Sequence, residues 1–218
     1  MSWLAIDTAT DRVSVAIGRT GDTAHEEHLD GARRHAAAVL PIVARLLELG
    51  GLTLGDLRGI VVADGPGSFT GLRVGASIAK ALADTRGLPV LTTPSLMGRA
   101  HAAASGQERP VAVTSNALRG EVYAAVYRFV GNAVETILAP RVLPEGRLVE
   151  VVPADAIDAA ETRADARRLI ALTRLAGGSV PVTDVRGWEP VYGRPAEAQA
   201  QWERTHGRTL SSAPGLAR

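Results

Sequence analysis

Apolar positions along the chain alternate between two periods. Trp3 to Ile6 is a short apolar run that stops at Asp7, Arg12 to Ile17 alternates, and Thr23 to Leu29 follows a turn at Gly18 to Asp22. Period-two runs bounded by polar turn residues predict an antiparallel meander with a polar tip at residues 7–11. From Arg33 to Leu49 the period lengthens. Ala36, Val39, Leu40, Val43, Leu46 and Leu47 recur at helical spacing before Gly50-Gly51, which predicts a helix. Pro41 inside it removes one backbone donor and favours a kink. Ile60 to Ala63 is a β-branched run, broken by Asp64-Gly65-Pro66-Gly67. Ser68 or Thr70 then caps a helix that carries Leu72, Val74, Ile78 and Leu82 on its apolar side, runs to about Asp84 and stops at Gly87. Pro89 to Leu91 reads as a short strand, and Ser95 to Ala104 is helical by composition.

Ser105 to Pro110 is polar and closed by a proline, which makes it a lobe boundary. A second meander follows, with strands at Val111–Thr114, Glu121–Phe129 and Ala133–Leu138 and a hairpin turn at Gly131-Asn132. Asp165 to Ala176 reads as a helix closed by Gly177-Gly178. The division is a first lobe over residues 1–104, a second over 105–210, and a disordered tail over 211–218, with 195–208 polar and helical.

Composition narrows the classes. The chain has 218 residues, 46% of them hydrophobic and 22% charged, with a net charge of +1. That is a globular balance without a strong electrostatic footprint for nucleic acid or membrane. No cysteine is present, so disulfides and thiolate metal sites are impossible. The first residues meet Asp7 too soon for a signal peptide, and no apolar run approaches a membrane span. A soluble cytoplasmic protein is expected.

The strand, glycine-rich turn and helix start at residues 60–75 carry the candidate chemistry. Backbone N–H groups at such a junction suit a phosphate. The loop has no Gly-Lys-Ser/Thr, and the spacing Gly65, Gly67, Gly71 is one residue too long for a dinucleotide fingerprint. A structural turn and a ligand loop both remain open. Asp7 and Thr8 at the first strand's end can approach phosphates, and a carboxylate there can hold hydrated Mg²⁺; a capped turn needs the same residue types. Arg73 serves either a phosphate or a neighbouring carboxylate. His25 and His28 lie three apart in a strand, so they face opposite ways and share no metal. No serine sits in a Gly-x-Ser-x-Gly elbow. Small residues on both predicted helices (Ala36, Ala37 and Ala38; Gly75, Ala76, Ala79 and Ala83) permit close packing inward or against a partner.

Several stretches together resemble the TsaB family, the dimerisation subunits of the bacterial machinery that makes threonylcarbamoyladenosine in tRNA. They are Leu4-Ala5-Ile6-Asp7-Thr8-Ala9-Thr10; His35 with Leu40-Pro41 and Leu46-Leu47; and Ala63-Asp64-Gly65-Pro66-Gly67-Ser68-Phe69-Thr70-Gly71-Leu72-Arg73. Lys80-Ala81-Leu82-Ala83 and Thr93-Pro94-Ser95-Leu96 extend the match, with weaker agreement at Arg119–Tyr123 and Pro190–Pro195. The resemblance implies an α/β fold of the actin/Hsp70/sugar-kinase type, two lobes each with a mixed sheet and packed helices. It implies no independent chemistry. In the family a catalytic paralogue, TsaD, carries the metal and transfers the threonylcarbamoyl group to the adenosine next to the anticodon, and an ATPase, TsaE, joins the pair; the resemblance implies the same partners here.

The resemblance also implies an interface made by the first two helices, taken here as Ala36, Val39, Val43, Leu47, Leu72, Gly75, Ala76, Ala79 and Ala83. The same helices would serve a homodimer when the chain is alone, and tRNA would be met only through the complex. On this reading Ala79→Glu weakens assembly without unfolding the chain. The paralogue's two histidines, four apart, match Ser95 and Arg99, a hydroxyl and a guanidinium that do not replace imidazole ligands. Where the family has Asp-Ala-Arg before Gly-Glu-Val-Tyr this chain has Asn116-Ala117-Leu118-Arg119, and against the family the region from Leu143 to Val185 looks trimmed. A vestigial nucleotide loop would comprise Asp7, Thr8, Gly65, Gly67, Ser68 and Arg73, with ATP or ADP and Mg²⁺ as its ligand. The rival function is a small nucleotide-binding ATPase or kinase-like enzyme using residues 64–73.

Overall fold

The N-terminal apolar run forms strand β1 (Ser2–Asp7), buried throughout because it lies in the middle of a six-stranded sheet. It pairs antiparallel with β2 (Arg12–Gly18) and parallel with β4 (Leu57–Ala63). Beyond β2 lies the charged edge strand β3 (His25–Asp30). Beyond β4 lie β5 (Val90–Thr93) and the two-residue β10 (Val180–Pro181), giving the order β10-β5-β4-β1-β2-β3. The computed structural model describes residues 2–19, 24–31, 35–194 and 205. The predicted helical start at 33–34, the polar segment at 195–208 apart from residue 205, and the tail at 211–218 fall outside these.

The two faces of the first sheet follow from period-two alternation. Leu4, Ile6, Val13, Val15, Ile17, Ile60 and Val62 point to one face and meet α1 (His35–Leu49) and α2 (Phe69–Arg86). Trp3, Ala5, Ala16, Val61 and Ala63 point to the other and meet Ala166, Leu169 and Ile170 of α5 (Ala166–Leu172). Each large aliphatic side chain so buried contributes about 1.5–3 kcal/mol. Ser68 caps α2 by accepting from the Gly71 amide, and Gly87 closes it in the left-handed region.

The second sheet has the order β8-β7-β6-β9, from β6 (Val111–Asn116), β7 (Glu121–Val130), β8 (Ala133–Pro144) and β9 (Ile157–Asp158). One face takes Leu96, Met97, Ala100 and Ala104 of α3 (Ser95–Ala104). The other takes Leu148 and Val151 of the single turn α4 (Leu148–Val151). The fold is thus the two-lobed, mixed-sheet arrangement of the actin/Hsp70/sugar-kinase type. The expected boundary at 105–110 separates the strands β1–β5 from β6–β9, but not the helices. α3 precedes the boundary and packs on the second sheet, whereas α5 and β10 follow it and belong to the first.

Two local expectations change. The helix expected over 165–176 ends at Leu172. Ala176 is drawn away to the edge of the second sheet, where its amide donates to Asn132 O (2.9 Å) and its carbonyl accepts from the Val134 amide (2.9 Å). The strand expected over 133–138 continues to Pro144 because β7 pairs with it along its whole length, across register shifts near Ala124–Tyr127.

The residues expected to form a partner interface are mostly consumed within the chain. Val39, Val43, Leu47, Leu72, Ala76, Ala79 and Ala83 are buried, as is Gly75; only Ala36 is exposed. Small residues on α2 let the helix approach its own sheet closely, and the pattern of small residues alone does not tell that use from an intermolecular one. Ala79, at 0% exposure, is a core position. Ala79→Glu is therefore expected to destabilise the fold by on the order of 3–5 kcal/mol, the cost of a buried unpaired carboxylate, measured as a lowered urea midpoint of the isolated chain.

Candidate functional site

The glycine-rich loop leaves β4 at Asp64 and reaches α2 at Phe69. Its amides are largely taken by the chain itself. Gly65 N donates to Ser95 Oγ (2.9 Å), and Gly71 N to Ser68 Oγ (3.2 Å). Ser68 N donates to Ala9 O (2.7 Å). A Cβ at Gly67 would collide with that same Ala9 carbonyl. What presses on the loop is thus an acceptor oxygen, the wrong polarity for a phosphate. Thr8 Oγ1 donates to Gly71 O (2.7 Å), fastening the end of β1 to the start of α2.

Of the residues expected to form a nucleotide loop, the structure gathers Asp7, Thr8, Gly65, Gly67 and Ser68 into one cluster. Arg73 stands apart from it. It lies one turn into α2 with its guanidinium over the Phe69 ring, 4.8 Å from the centroid.

Asp7 is buried at 2% exposure and accepts from the Ala9 amide (3.0 Å). Burial pushes its carboxyl up to about 6, against the opposing pull of that amide and of Arg99. Arg99, on α3, is also buried, and burial lowers its affinity for the proton. It donates to Thr162 O (2.6 Å), Ala160 O (2.6 Å) and Ala159 O (3.4 Å). Ser95 and Arg99, which occupy the positions expected for paired imidazoles, therefore do structural work. One accepts from the glycine loop, and the other ties α3 to the segment entering α5. Among the described residues no group of three or more His, Cys, Asp or Glu side chains could hold a metal ion.

The chain's return at residues 188–194 straps the loop down and carries little local pattern. Val191 N donates to Asp64 O (2.7 Å), and the Val191 carbonyl sits against Gly65. Gly65 has φ +117, and a Cβ there would collide with that oxygen. Tyr192 stacks on Phe69 at 4.5 Å, and its carbonyl accepts from Tyr123 Oη (3.3 Å). Arg194 pairs with Glu121 of β7. Glu189 accepts from Tyr192 Oη (3.1 Å) and lies 3.7 Å from Lys80 of α2. Pro190-Val191-Tyr192-Gly193 carries no period, and its only sequence signal was a weak family match. Between strap, loop and second sheet lies a cleft of about 570 Å³, lined by Arg12, Arg99, Asn116, Tyr123, Glu161 and Tyr192 among others.

A second feature lies on the outer side of α1 and α2. Ala36, Ala37, Leu40, Pro41 and Ala44 are exposed along one side of α1, with Leu40 at 51% and Leu49 at 69% exposure. On α2, Thr70, Arg73, Ser77 and Ala81 are exposed. A depression of about 390 Å³ between the helices is lined by Ala36, Phe69, Arg73, Val74 and Ile78 among others.

The family model for TsaD, tRNA N6-adenosine threonylcarbamoyltransferase, matches residues 29–178. The tRNA threonylcarbamoyladenosine biosynthesis protein TsaB of Escherichia coli K12 is 38% identical over 154 residues, 66% of this chain and 65% of that protein. The protein of the same name from Bacillus subtilis 168 is 33% identical over 141 residues, 63% and 60% of the two chains. The match spans just under two thirds of these curated relatives. Among solved structures, YeaZ from Pseudomonas aeruginosa superposes with a TM-score of 0.70 at 27% identity, covering 79% of this chain and 90% of that one. A second Pseudomonas aeruginosa structure, described as similar to peptidase YEAZ, gives 0.74 at 27% identity over 88% and 99%.

Asp64 offers a test of the loop's electrostatics. Burial pushes its carboxyl up from 3.8 to about 6, against hydrogen bonds that include one from Thr92. A folded-state value above the unfolded one means that its stabilising contribution is complete below the unfolded value near 3.8 and lost as pH rises through about 6. Asp64→Asn is therefore expected to stabilise the fold at pH 7.5 by on the order of 1–3 kcal/mol. The gain should vanish by about pH 4, as read from urea unfolding of both proteins across that range.

Proposed function

The chain belongs to the TsaB family, and on that premise we propose that it is a non-catalytic scaffold subunit in the synthesis of threonylcarbamoyladenosine in tRNA. It would hold a TsaD-like catalytic paralogue through the exposed side of α1 and α2, with a TsaE-like ATPase joining the pair and tRNA met through the assembly. The observation that carries this reading is the apolar stripe Ala37, Leu40, Pro41 and Ala44 on α1. It lies beside the depression at Val74 and Ile78, on helices whose other sides are committed to the core. Obligate interfaces bury on the order of 2,000 Å² or more in total, and such a stripe supplies the dehydrated centre of one.

The internal bonds of the glycine loop support a scaffold over an enzyme. Gly65 and Ser68 spend their amides on Ser95 and Ala9, and Val191 is seated on Gly65. The rival reading, a small nucleotide-binding enzyme, draws on the cleft of about 570 Å³. Calorimetry with ATP and Mg²⁺ on the isolated chain separates the two. No binding in the micromolar range is expected, and tight binding abolished by Asp7→Ala would favour the enzyme.

The scaffold reading predicts that Leu40→Glu and Ala44→Glu, at exposed positions, leave the melting temperature nearly unchanged. They should remove co-elution with the paralogue on size exclusion, together with the modification activity of the reconstituted complex. If both variants co-elute normally, the docking face lies elsewhere.

A further inference from the structure

We propose that Arg73 is the charged anchor of the α1–α2 face and that the catalytic paralogue meets it with a carboxylate carried on an otherwise apolar surface. This rests on the reading of that face as the docking surface and adds the chemistry of the partner. Arg73 stands where two depressions meet. One, of about 390 Å³, is walled by Ala36, Phe69, Val74 and Ile78. The other, of about 350 Å³, is walled by Ala76, Ser77, Lys80, Glu189 and Pro190, and Arg73 lines both. A group seated at the centre of the apolar stripe would have this side chain beside it.

The charge balance at this point is uneven. Of the other arginines, half-buried Arg12 and exposed Arg147 and Arg186 each hold an internal carboxylate: Asp30 at 2.8 Å, Glu150 at 2.5 Å and Asp84 at 2.8 Å. Arg45 likewise pairs with Glu27. Among the described residues Arg73 has no ion pair. Its contacts are the Phe69 ring at 4.8 Å and the Tyr192 phenol. The nearby carboxylate, Glu189, already accepts from Tyr192 Oη (3.1 Å) and faces Lys80 at 3.7 Å. Two cations, Arg73 and Lys80, thus line this depression with one carboxylate, Glu189, which is turned to Lys80, so the lining keeps a net positive charge.

Phe69 lies under the guanidinium, and the Tyr192 ring packed on Phe69 places its phenol beside it. Little side-chain freedom is then lost when a carboxylate docks. A planar fork presented this way recognises a carboxylate with two parallel bonds. The strap thereby gains a role on the outer face: Tyr192 and Glu189 set the position of the cation that meets the partner.

The test is titration of the full chain against the TsaD-like paralogue by calorimetry, at about 50 mM and about 500 mM salt, which screens exposed charge pairs strongly. Arg73→Ala is expected to weaken binding roughly 10- to 100-fold at low salt and to flatten the salt dependence. Arg73→Glu should weaken it further, and Arg73→Lys should restore only part, since an ammonium makes no bidentate contact. Tyr192→Phe should weaken binding by roughly 3- to 10-fold, because one polar anchor of the guanidinium is lost. Leu40→Glu is the control for the face itself. If Leu40→Glu abolishes binding while Arg73→Ala stays within about twofold of wild type with its salt dependence intact, the docking face stands and the anchor is overturned. If Leu40→Glu also leaves binding intact, the docking surface is wrong and the anchor falls with it. Equal melting temperatures for wild type and Arg73→Ala confirm that the loss is one of recognition.

Discussion

Val191 and the Asp64–Gly65 link meet backbone to backbone. The Val191 amide donates to Asp64 O across 2.7 Å, while its carbonyl rests on the bare Cα of Gly65. Only a residue without Cβ tolerates that approach at φ +117. The contact brings Tyr192 onto Phe69, sets Gly193 against Pro66 and Tyr123, and carries Arg194 to Glu121 on the second sheet. The turn at the end of β4, the first residue of α2 and the edge of the cleft all take their positions from it. A glycine-rich loop that reads as a phosphate cradle is here the seat of the chain's own return.

The lobes are held together by exchange rather than by a linker. α3 is laid on the second sheet and α5 on the first, and Arg99 binds the carbonyls of residues 159, 160 and 162 as the chain passes between them. The buried cation beside Asp7 balances a carboxylate that burial alone would neutralise. Ser14 and Glu26 complete the join at the far end: Ser14 Oγ donates to Glu26 (2.6 Å), and the Ala166 amide donates to Ser14 Oγ (2.8 Å).

Legibility in the sequence followed the strength of local pattern. β1, α1 and α2 were readable because period and stop signals agree: Trp3–Ile6 before Asp7, Val39–Leu47 before Gly50, and Ser68 and Gly87 at the two ends of α2. The end of α5 was not, because the chain after Leu172 is drawn to the edge of β8 through Ala176, a tertiary pull that no local residue signals. The strap was not readable as structure, since its order comes from partners far away in sequence, Asp64, Phe69, Glu121 and Tyr123. The burial of most of the expected interface residues was unreadable for a related reason. Gly75, Ala76, Ala79 and Ala83 announce that something comes close, and the sheet beneath them is what does.

The exchange of helices has a consequence for how the chain is made. One face of the first sheet, with Trp3, Ala5, Ala16 and Val61, is covered only when Ala166, Leu169 and Ile170 arrive. On a ribosome adding about 5–20 residues per second, that face stays bare for roughly 5–20 seconds after β4 has been made. The nascent chain spends this interval as a half-covered sheet, a state in which holdase chaperones find apolar surface. Closure of so many distant contacts also makes refolding slow relative to a helical bundle of the same size. The last third of the chain thus acts as the lid that ends the chain's exposure during synthesis.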